Sequence, residues 1–209
     1  MLQIARAAMC AALLLAPAGA NAAPPIAIVA LGDSLTAGLG LPASDGFVSR
    51  LQAALAAKGI NATVQNAGVS GDTASSGLAR LDWSVPEGID AVILELGAND
   101  MLRGIDPKVT YAALDRILDR LQQRHIAVLL CGMRAMPNLG ADYAKSFESI
   151  YPGLAARHGV LFYPFFLAGT AADLSLTQRD GLHPNAAGVN VIVAGILPKV
   201  QELIAAVAR

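Results

Sequence analysis

Short apolar runs alternate along the chain with longer stretches in which apolar residues recur at helical spacing. The short runs are bounded by glycine, proline or polar residues, which is typical of buried β-strands. They predict five strands, at Ile26–Leu31, Ala62–Asn66, Ala91–Leu96, Ile126–Cys131 and Val160–Tyr163. The longer stretches predict helices over Phe47–Lys58, Ala74–Leu81, Val109–Arg124, Tyr143–His158 and Asn185–Ala208.

This alternation favours an α/β fold, because parallel strands need a helical crossover between them. We therefore predict a three-layer α/β/α sandwich around a five-stranded parallel sheet. The pattern leaves the strand order open. In the common order 2-1-3-4-5, the second and third strands flank the first, and their carboxyl ends meet at the switch point where ligands bind. No internal repeat or linker divides residues 23–209, which we interpret as one domain.

The first 22 residues have a different pattern from the rest. Arg6 is the only charged residue there, and it is followed by the apolar stretch Ala7–Leu15 and by Ala20-Asn21-Ala22. A short basic start, a modest apolar segment and an A-x-A site predict a secretory signal peptide, cleaved before Ala23. The alternative is a membrane anchor, but this apolar run is too short to span about 30 Å of hydrocarbon. We expect a periplasmic or secreted protein with no stable membrane insertion after cleavage.

Composition narrows the class of partner. The chain has 15 Lys and Arg residues, including Arg6, against 16 Asp and Glu residues, and no basic stripe. We therefore predict no nucleic-acid partner, since such binding requires clustered cations that neutralise phosphates. After cleavage Cys131 is the one remaining cysteine, so no internal disulfide is expected. Its place at the end of an apolar run favours a small buried side chain over a nucleophile.

A serine stands where the first predicted strand ends, in Gly32-Asp33-Ser34-Leu35. The carboxyl edge of a parallel sheet is where catalytic groups collect, so Ser34 is a candidate nucleophile. The structural alternative is a helix N-cap, a position that serine also favours.

A serine nucleophile needs a base, and one of three histidines is suited to the role. His125 and His158 end helical stretches, where an imidazole is an ordinary residue. His183 lies in a loop three residues after Asp180 and directly before Pro184. This spacing allows the Asp180 carboxylate to hold Nδ1 of His183 and to leave Nε2 facing Ser34. The alternative is a surface Asp–His pair in a turn.

Candidate oxyanion donors lie at the end of the first strand and in the loops after the second and third strands. They are the backbone N–H groups of Ser34 and Gly71 and the side-chain amide of Asn99. Glycine and asparagine are also common turn residues, which is the structural alternative for both. Three aspartates adjoin these residues, and we expect their carboxylates to accept hydrogen bonds from loop backbone: Asp33, Asp72 and Asp100.

Other site classes lack their motifs. No segment matches the G-x-S-x-G nucleophile elbow, and no HExxH, paired CxxC or dinucleotide fingerprint occurs. We therefore predict that the chain uses no metal and no cofactor.

Four blocks in order resemble the SGNH (GDSL) hydrolase family: Gly32-Asp33-Ser34-Leu35, the Gly71 loop, Gly97-Ala98-Asn99-Asp100 and Asp180–Pro184. Closer similarity is to its bacterial acyl-CoA thioesterase, protease, lysophospholipase and arylesterase branch, at Gly68–Thr73, Gly77–Leu81 and the stretch from Tyr151-Pro152 through Tyr163–Phe166.

The resemblance implies a flavodoxin-like sheet in the order 2-1-3-4-5. It also implies a triad of Ser34, Asp180 and His183, and an oxyanion hole of Ser34, Gly71 and Asn99. The activity it implies is hydrolysis of aryl esters, short-to-medium acyl esters, acyl-CoA thioesters and lysophospholipids. A substrate-binding loop is expected after the fourth strand, formed by Met133, Arg134, Ala135, Met136, Pro137, Asn138 and Leu139.

Two other functions stay open. A carbohydrate O-acetylesterase acting on an envelope polysaccharide would use the same triad, although the chain has a single tryptophan, Trp83, and only 5% aromatic residues. A non-catalytic binding module would reuse the fold, but it would be expected to have lost part of the triad or of the oxyanion hole.

Overall fold

A five-stranded parallel sheet forms the centre of the molecule. The structure is a computed structural model that describes residues 24–207. The predicted signal peptide therefore lies outside the described residues. The strands are β1 (Ile26–Gly32), β2 (Ala62–Gly68), β3 (Ala91–Glu95), β4 (Ala127–Cys131) and β5 (Leu161–Tyr163). Their order, β2-β1-β3-β4-β5, confirms the predicted fold class and the order that the family resemblance implied.

Helices connect the strands and cover both faces of the sheet. They are α1 (Ser34–Ala37), α2 (Phe47–Ala57), α3 (Ala74–Ala79), α4 (Leu81–Ser84), α5 (Ala98–Leu102), α6 (Pro107–Gln123), α7 (Ala141–Glu148), α8 (Ile150–His158) and α9 (Ala186–Val207). Helices α2 and α9 pack together on one face, and α6 and α8 pack on the other.

Two of the predicted helices are each divided in the structure. The stretch from residue 143 to residue 158 breaks at Ser149, between α7 and α8. Pro152 explains this break, because it has no N–H to donate to the carbonyl of Glu148 four residues earlier. The stretch from residue 74 to residue 81 breaks at Arg80, whose side chain turns inward to bond the end of β1.

Helix α9 is the longest described helix, and its length and apolar composition would also suit a membrane span. It nevertheless packs against α2 and the sheet, and buries a row of side chains at helical spacing. The side chain of Asn185 caps its first turn by accepting hydrogen bonds from the N–H groups of Ala187 and Gly188. This cap fixes where the loop ends and the helix begins.

The carboxyl ends of β1, β2 and β3 lie side by side, with Gly32 paired to Gly68 on one side and to Glu95 on the other. Both glycines allow α1 to fold back closely onto these strand ends. A Cβ on Gly32 would lie 2.1 Å from Oγ1 of Thr36, and one on Gly68 would lie 2.3 Å from the backbone nitrogen of Ala37. Helix α1 therefore lies directly above the carboxyl ends of β1 and β2.

Candidate active site

Ser34 is the first residue of α1, and the N-cap position belongs to its neighbour. The Asp33 side chain accepts from the backbone N–H of Leu35 at 3.0 Å, as an N-cap does. The Ser34 hydroxyl is thus not used to cap the helix. Its Oγ lies 2.9 Å from Nε2 of His183, 149 positions further along the chain.

Asp180 holds the other side of the His183 ring. Its Oδ2 lies 2.6 Å from Nδ1 of His183, while its Oδ1 accepts from the backbone N–H groups of Leu182 and His183. The N–H of Leu182, then the bonds to His183, lower the pKa of the Asp180 carboxyl to about 2. A carboxylate can only accept, so Nδ1 carries the proton and Nε2 of the neutral ring is free to accept the hydroxyl proton of Ser34.

The other two histidines lie elsewhere. The His158 ring, at the end of α8, is buried between Oδ1 of Asp115 at 2.7 Å and Oε1 of Gln122 at 2.9 Å. His125 follows α6 with a φ of +56°, a conformation found where a helix ends. Both histidines therefore belong to helix ends, as the sequence indicates.

The three candidate oxyanion donors line the same cavity. Gly71 has a φ of +88°, a backbone conformation that side chains rarely adopt. Nδ2 of Asn99 donates to Oδ2 of Asp33 at 3.1 Å and to the carbonyl of Asp72 at 3.0 Å. These two acceptors hold the amide in place, and an incoming oxyanion would compete with them for its hydrogens.

Residues 30–191 match the GDSL-like lipase/acylhydrolase family. The chain belongs to this family.

Curated relatives of this GDSL-family chain include an arylesterase of Vibrio mimicus, 40% identical over 161 residues that cover 75% of this chain and 79% of the relative. The thioesterase 1/protease 1/lysophospholipase L1 of Escherichia coli K12 is 35% identical over 178 residues, 85% of this chain and 84% of the relative. The crystal structure of AlinE4, an SGNH-hydrolase family esterase, superposes with a TM-score of 0.73 at 44% identity and covers 85% of this chain and 96% of that one. The chain is accordingly a carboxylic ester hydrolase, and the resemblance noted in its sequence is confirmed.

Three aspartates support the loops of this GDSL-family site, in two different ways. Asp33 and Asp100 are buried, and each accepts from a backbone N–H in the first turn of a helix rather than from a loop: Asp33 from Leu35 of α1 at 3.0 Å, and Asp100 from Ala74 of α3 at 2.8 Å. Asp72 instead forms an ion pair, with its Oδ2 2.5 Å from Nε of Arg80. Burial raises the pKa of Asp33 to about 6, although its bond from Leu35 and the nearby His183 act in the opposite direction.

Two buried polar residues at this site were not singled out in the sequence. The guanidinium of Arg80 donates to Asp72, to Oγ of Ser84 at 2.8 Å and to the carbonyl of Gly32 at 2.9 Å. It thereby ties the Gly71 loop to the end of β1. Glu95, fully buried at the end of β3, accepts from Oγ1 of Thr36 at 2.7 Å. A charged residue inside an otherwise apolar run was the signal for Glu95.

The cavity beside Ser34 has a volume of about 650 Å³ and a mostly apolar lining. From the predicted substrate-binding loop, Met133, Arg134, Ala135, Met136 and Pro137 line it, whereas Asn138 and Leu139 do not. Apolar side chains outside this loop complete the wall, two of them on α5, and the sequence pattern did not single them out: Leu39, Met101, Leu102, Phe165, Leu167 and Leu182.

The guanidinium carbon of Arg134 lies 4.8 Å from the centre of the Phe165 ring, a cation–π arrangement at the cavity wall. Cys131 is buried as expected, and burial raises the pKa of its thiol well above the ordinary value. Within residues 24–207, no group of three or more His, Cys, Asp or Glu side chains could hold a metal ion.

Proposed function

We propose that this esterase hydrolyses aryl esters, short-to-medium acyl esters, acyl-CoA thioesters and lysophospholipids through an acyl-enzyme on Ser34. The single observation that carries the proposal is the continuous contact Ser34–His183–Asp180, 2.9 Å and 2.6 Å long, at the wall of an apolar cavity. An apolar cavity of this size suits an acyl chain, and the hydroxyl beside it suits attack on the chain's carbonyl carbon.

In the proposed mechanism, Ser34 Oγ attacks the carbonyl carbon while its proton passes to Nε2 of His183. Asp180 stabilises the imidazolium that forms. The oxyanion receives hydrogen bonds from the N–H groups of Ser34 and Gly71 and from Nδ2 of Asn99. The carbon–oxygen or carbon–sulfur bond then breaks, and His183 returns the proton to the leaving alcohol or thiol. Water, activated by the same base, releases the acid and restores the Ser34 hydroxyl.

The test is hydrolysis of p-nitrophenyl esters from acetate to palmitate, with palmitoyl-CoA alongside, by the wild type and Ser34→Ala. The expected result is a loss of turnover in Ser34→Ala of about 1000-fold or more, with an unchanged unfolding transition. Ser75→Ala, an exposed serine on α3, is the matched control and should retain full activity. Activity of Ser34→Ala within tenfold of the wild type, or phosphonate labelling of a different residue, would contradict the mechanism.

The same substrate series tests the carbohydrate O-acetylesterase alternative. That enzyme would cleave acetate esters and show no gain from longer acyl chains. Trp83 is 72% exposed, but it is not among the residues that line the cavity, so it gives the alternative no sugar-stacking surface there.

We also propose that residues 1–22 are a signal peptide and that the enzyme acts in the periplasm or outside the cell. The support is the sequence pattern of Arg6, Ala7–Leu15 and Ala20-Asn21-Ala22. After expression in a Gram-negative host, the exported fraction should begin at Ala23 by N-terminal sequencing. A deletion of residues 2–22 is the control and should stay in the cytosol. Full-length protein that accumulates in the cytosol with an intact Met1 would contradict this proposal.

A further inference from the structure

Two carboxyl groups lie buried beneath the turn that carries Ser34. Asp33 and Glu95 are both fully buried, and the backbone N–H of Asp33 is 3.4 Å from Oε2 of Glu95. In the part of the chain that the structure describes, neither carboxyl forms an ion pair with a lysine or an arginine. Two buried carboxylates cannot both be charged at such a site without a large desolvation cost.

Hydrogen bonding distinguishes the two groups. The Asp33 carboxyl receives N–H donors on both oxygens, from Leu35 on Oδ1 and from Asn99 on Oδ2. Glu95 receives the Thr36 hydroxyl and the long contact from Asp33 on Oε2, while its Oε1 is buried without a partner. An anion is stabilised by donors, so the negative charge of the pair belongs on Asp33 and the proton on Glu95.

We propose that Glu95 is a positioning residue that works as a neutral carboxylic acid, holding the Ser34 turn through Thr36 and leaving Asp33 as the charged acceptor of Asn99. Burial, and then the charge on Asp33, raise the pKa of Glu95 well above its ordinary value, which supports this protonation state. Thr36 lies two residues after Ser34 in α1, so its bond to Glu95 anchors the helix that sets the direction of the Ser34 hydroxyl.

Gly32 makes this arrangement possible. A Cβ at Gly32 would lie 2.5 Å from Oε2 of Glu95, so a side chain there would displace the carboxyl from under the turn. The groups that face the pair come from several elements. Asp33 interacts electrostatically with His183 and with Asp72 after β2. The charge of Glu95 acts on Cys131 at the end of β4, and both carboxyls act on Tyr151 of α8. Of these groups only His183 can carry a positive charge, and it faces Asp33 rather than Glu95.

The inference rests on the proposed role of Ser34, and it is tested with Glu95→Gln and Glu95→Ala in the full chain. The amide of Glu95→Gln is neutral, like the protonated acid. We expect this variant to keep kcat within about threefold of the wild type and the acidic limb of kcat/KM against pH at the same position. Glu95→Ala leaves the Thr36 hydroxyl without its acceptor, and we expect kcat to fall about 100-fold with little change in KM.

The pH profile discriminates because an ionised Glu95 would raise the pKa values of its neighbours. Its replacement by glutamine would then move the acidic limb to lower pH, and this result would overturn the proposal. A second measurement does not depend on activity. Infrared spectra at pH 8 should show a protonated-carboxyl stretching band that Glu95→Gln removes and Asp33→Asn retains, and the absence of that band would equally overturn it.

Further variants separate the possible failures. Thr36→Val should lower kcat as much as Glu95→Ala does, and the double variant should lose no more than either one, because both remove the same bond. Additive losses would contradict a shared anchor. If Glu95→Ala does not fold, Glu95→Gln and the infrared band still decide the question. If Ser34→Ala stays active, the proposed function fails while the infrared reading of Glu95 still stands.

Discussion

Replacing Arg80 by methionine should destabilise the protein severely, although methionine keeps most of the packing of the side-chain stem. The side chain of Arg80 is 9% exposed and that of its partner Asp72 is 13% exposed. Removing one member of a buried ion pair leaves the other charge uncompensated, which costs about 3–5 kcal/mol of the free energy of unfolding. With a urea m-value of about 2 kcal/mol/M, the midpoint of unfolding should fall by about 2 M.

Urea denaturation followed by circular dichroism measures this effect. Arg120→Met is the matched control, because Arg120 also pairs with an aspartate, Asp82, but their side chains are 41% and 70% exposed. An exposed pair contributes less than about 1 kcal/mol, so its midpoint should hardly move. The double variant Arg80→Met/Asp72→Asn removes both charges and should recover at least half of the loss.

Two results would refute this reasoning. One is equal destabilisation by Arg80→Met and Arg120→Met, which would mean that burial does not set the energy of these pairs. The other is a double variant no more stable than Arg80→Met alone, which would mean that the unpaired Asp72 charge is not the cause. Because the carbonyl of Asp72 also holds the Asn99 amide, Arg80→Met should in addition lower kcat.

Four further outcomes are expected. Asp180→Asn places an amide against His183 and reverses the tautomer of the ring. It should lower kcat on p-nitrophenyl esters about 1000- to 10000-fold with little change in KM. A loss below tenfold would contradict the tautomer argument. Gly77→Ala puts a Cβ 2.3 Å from Cδ1 of Leu96 and should cost about 1–3 kcal/mol in urea denaturation. Gly153→Ala, in open space on α8, is its control and should stabilise by about 0.5–1 kcal/mol. Burial in the folded state raises the pKa of Asp33 from 3.8 to about 6, so the folded state binds the extra proton. Stability relative to Asp33→Asn should therefore fall by about 2.5 kcal/mol as pH rises from 4 to 7, and a flat difference would contradict this. Each methylene added to the acyl chain should raise kcat/KM about fourfold until the cavity is filled.

Strands were the easiest elements to predict from the sequence. Central parallel strands are buried on both faces, so they read as continuous apolar runs, and β1 and β3 are visible in that way. The apolar run of β2 is interrupted at Gln65 and Asn66, and the strand was predicted to stop at Asn66, although it continues to Gly68. Pairing with β1 extends it, and a single strand's composition does not report its partner.

The two helix breaks differ in whether the local sequence indicates them. The break before α8 is local, since Pro152 is written in the sequence and removes a backbone donor. The break at Arg80 is not local, because it accompanies bonds from the guanidinium to Asp72 and to Gly32, 48 positions away. Apolar periodicity runs through both breaks and detects neither.

The candidate site divides in the same way. Ser34, Asp180 and His183 could be selected because residue type, spacing and position at a strand end all agree. Arg80 and Glu95 act by contacts between distant segments, and an arginine in a helical stretch reads as a solvated residue until its partners are known. The cavity wall was only partly anticipated, because it gathers side chains from the segments that follow β1, β3 and β4 and from the residues beyond β5.

The contact between Ser34 and His183 joins residues 149 positions apart. It can therefore form only after most of the chain has been synthesised and folded. With Ser34 as the proposed nucleophile and His183 as its proposed base, a chain emerging during synthesis presents the first long before the second. We therefore expect an incomplete or partly folded copy to hydrolyse no esters. In the proposed mechanism, hydrolysis requires that the loop of His183 has packed against the end of β1. We therefore expect turnover to require completed folding, so that an activity assay also measures the fraction of correctly folded molecules.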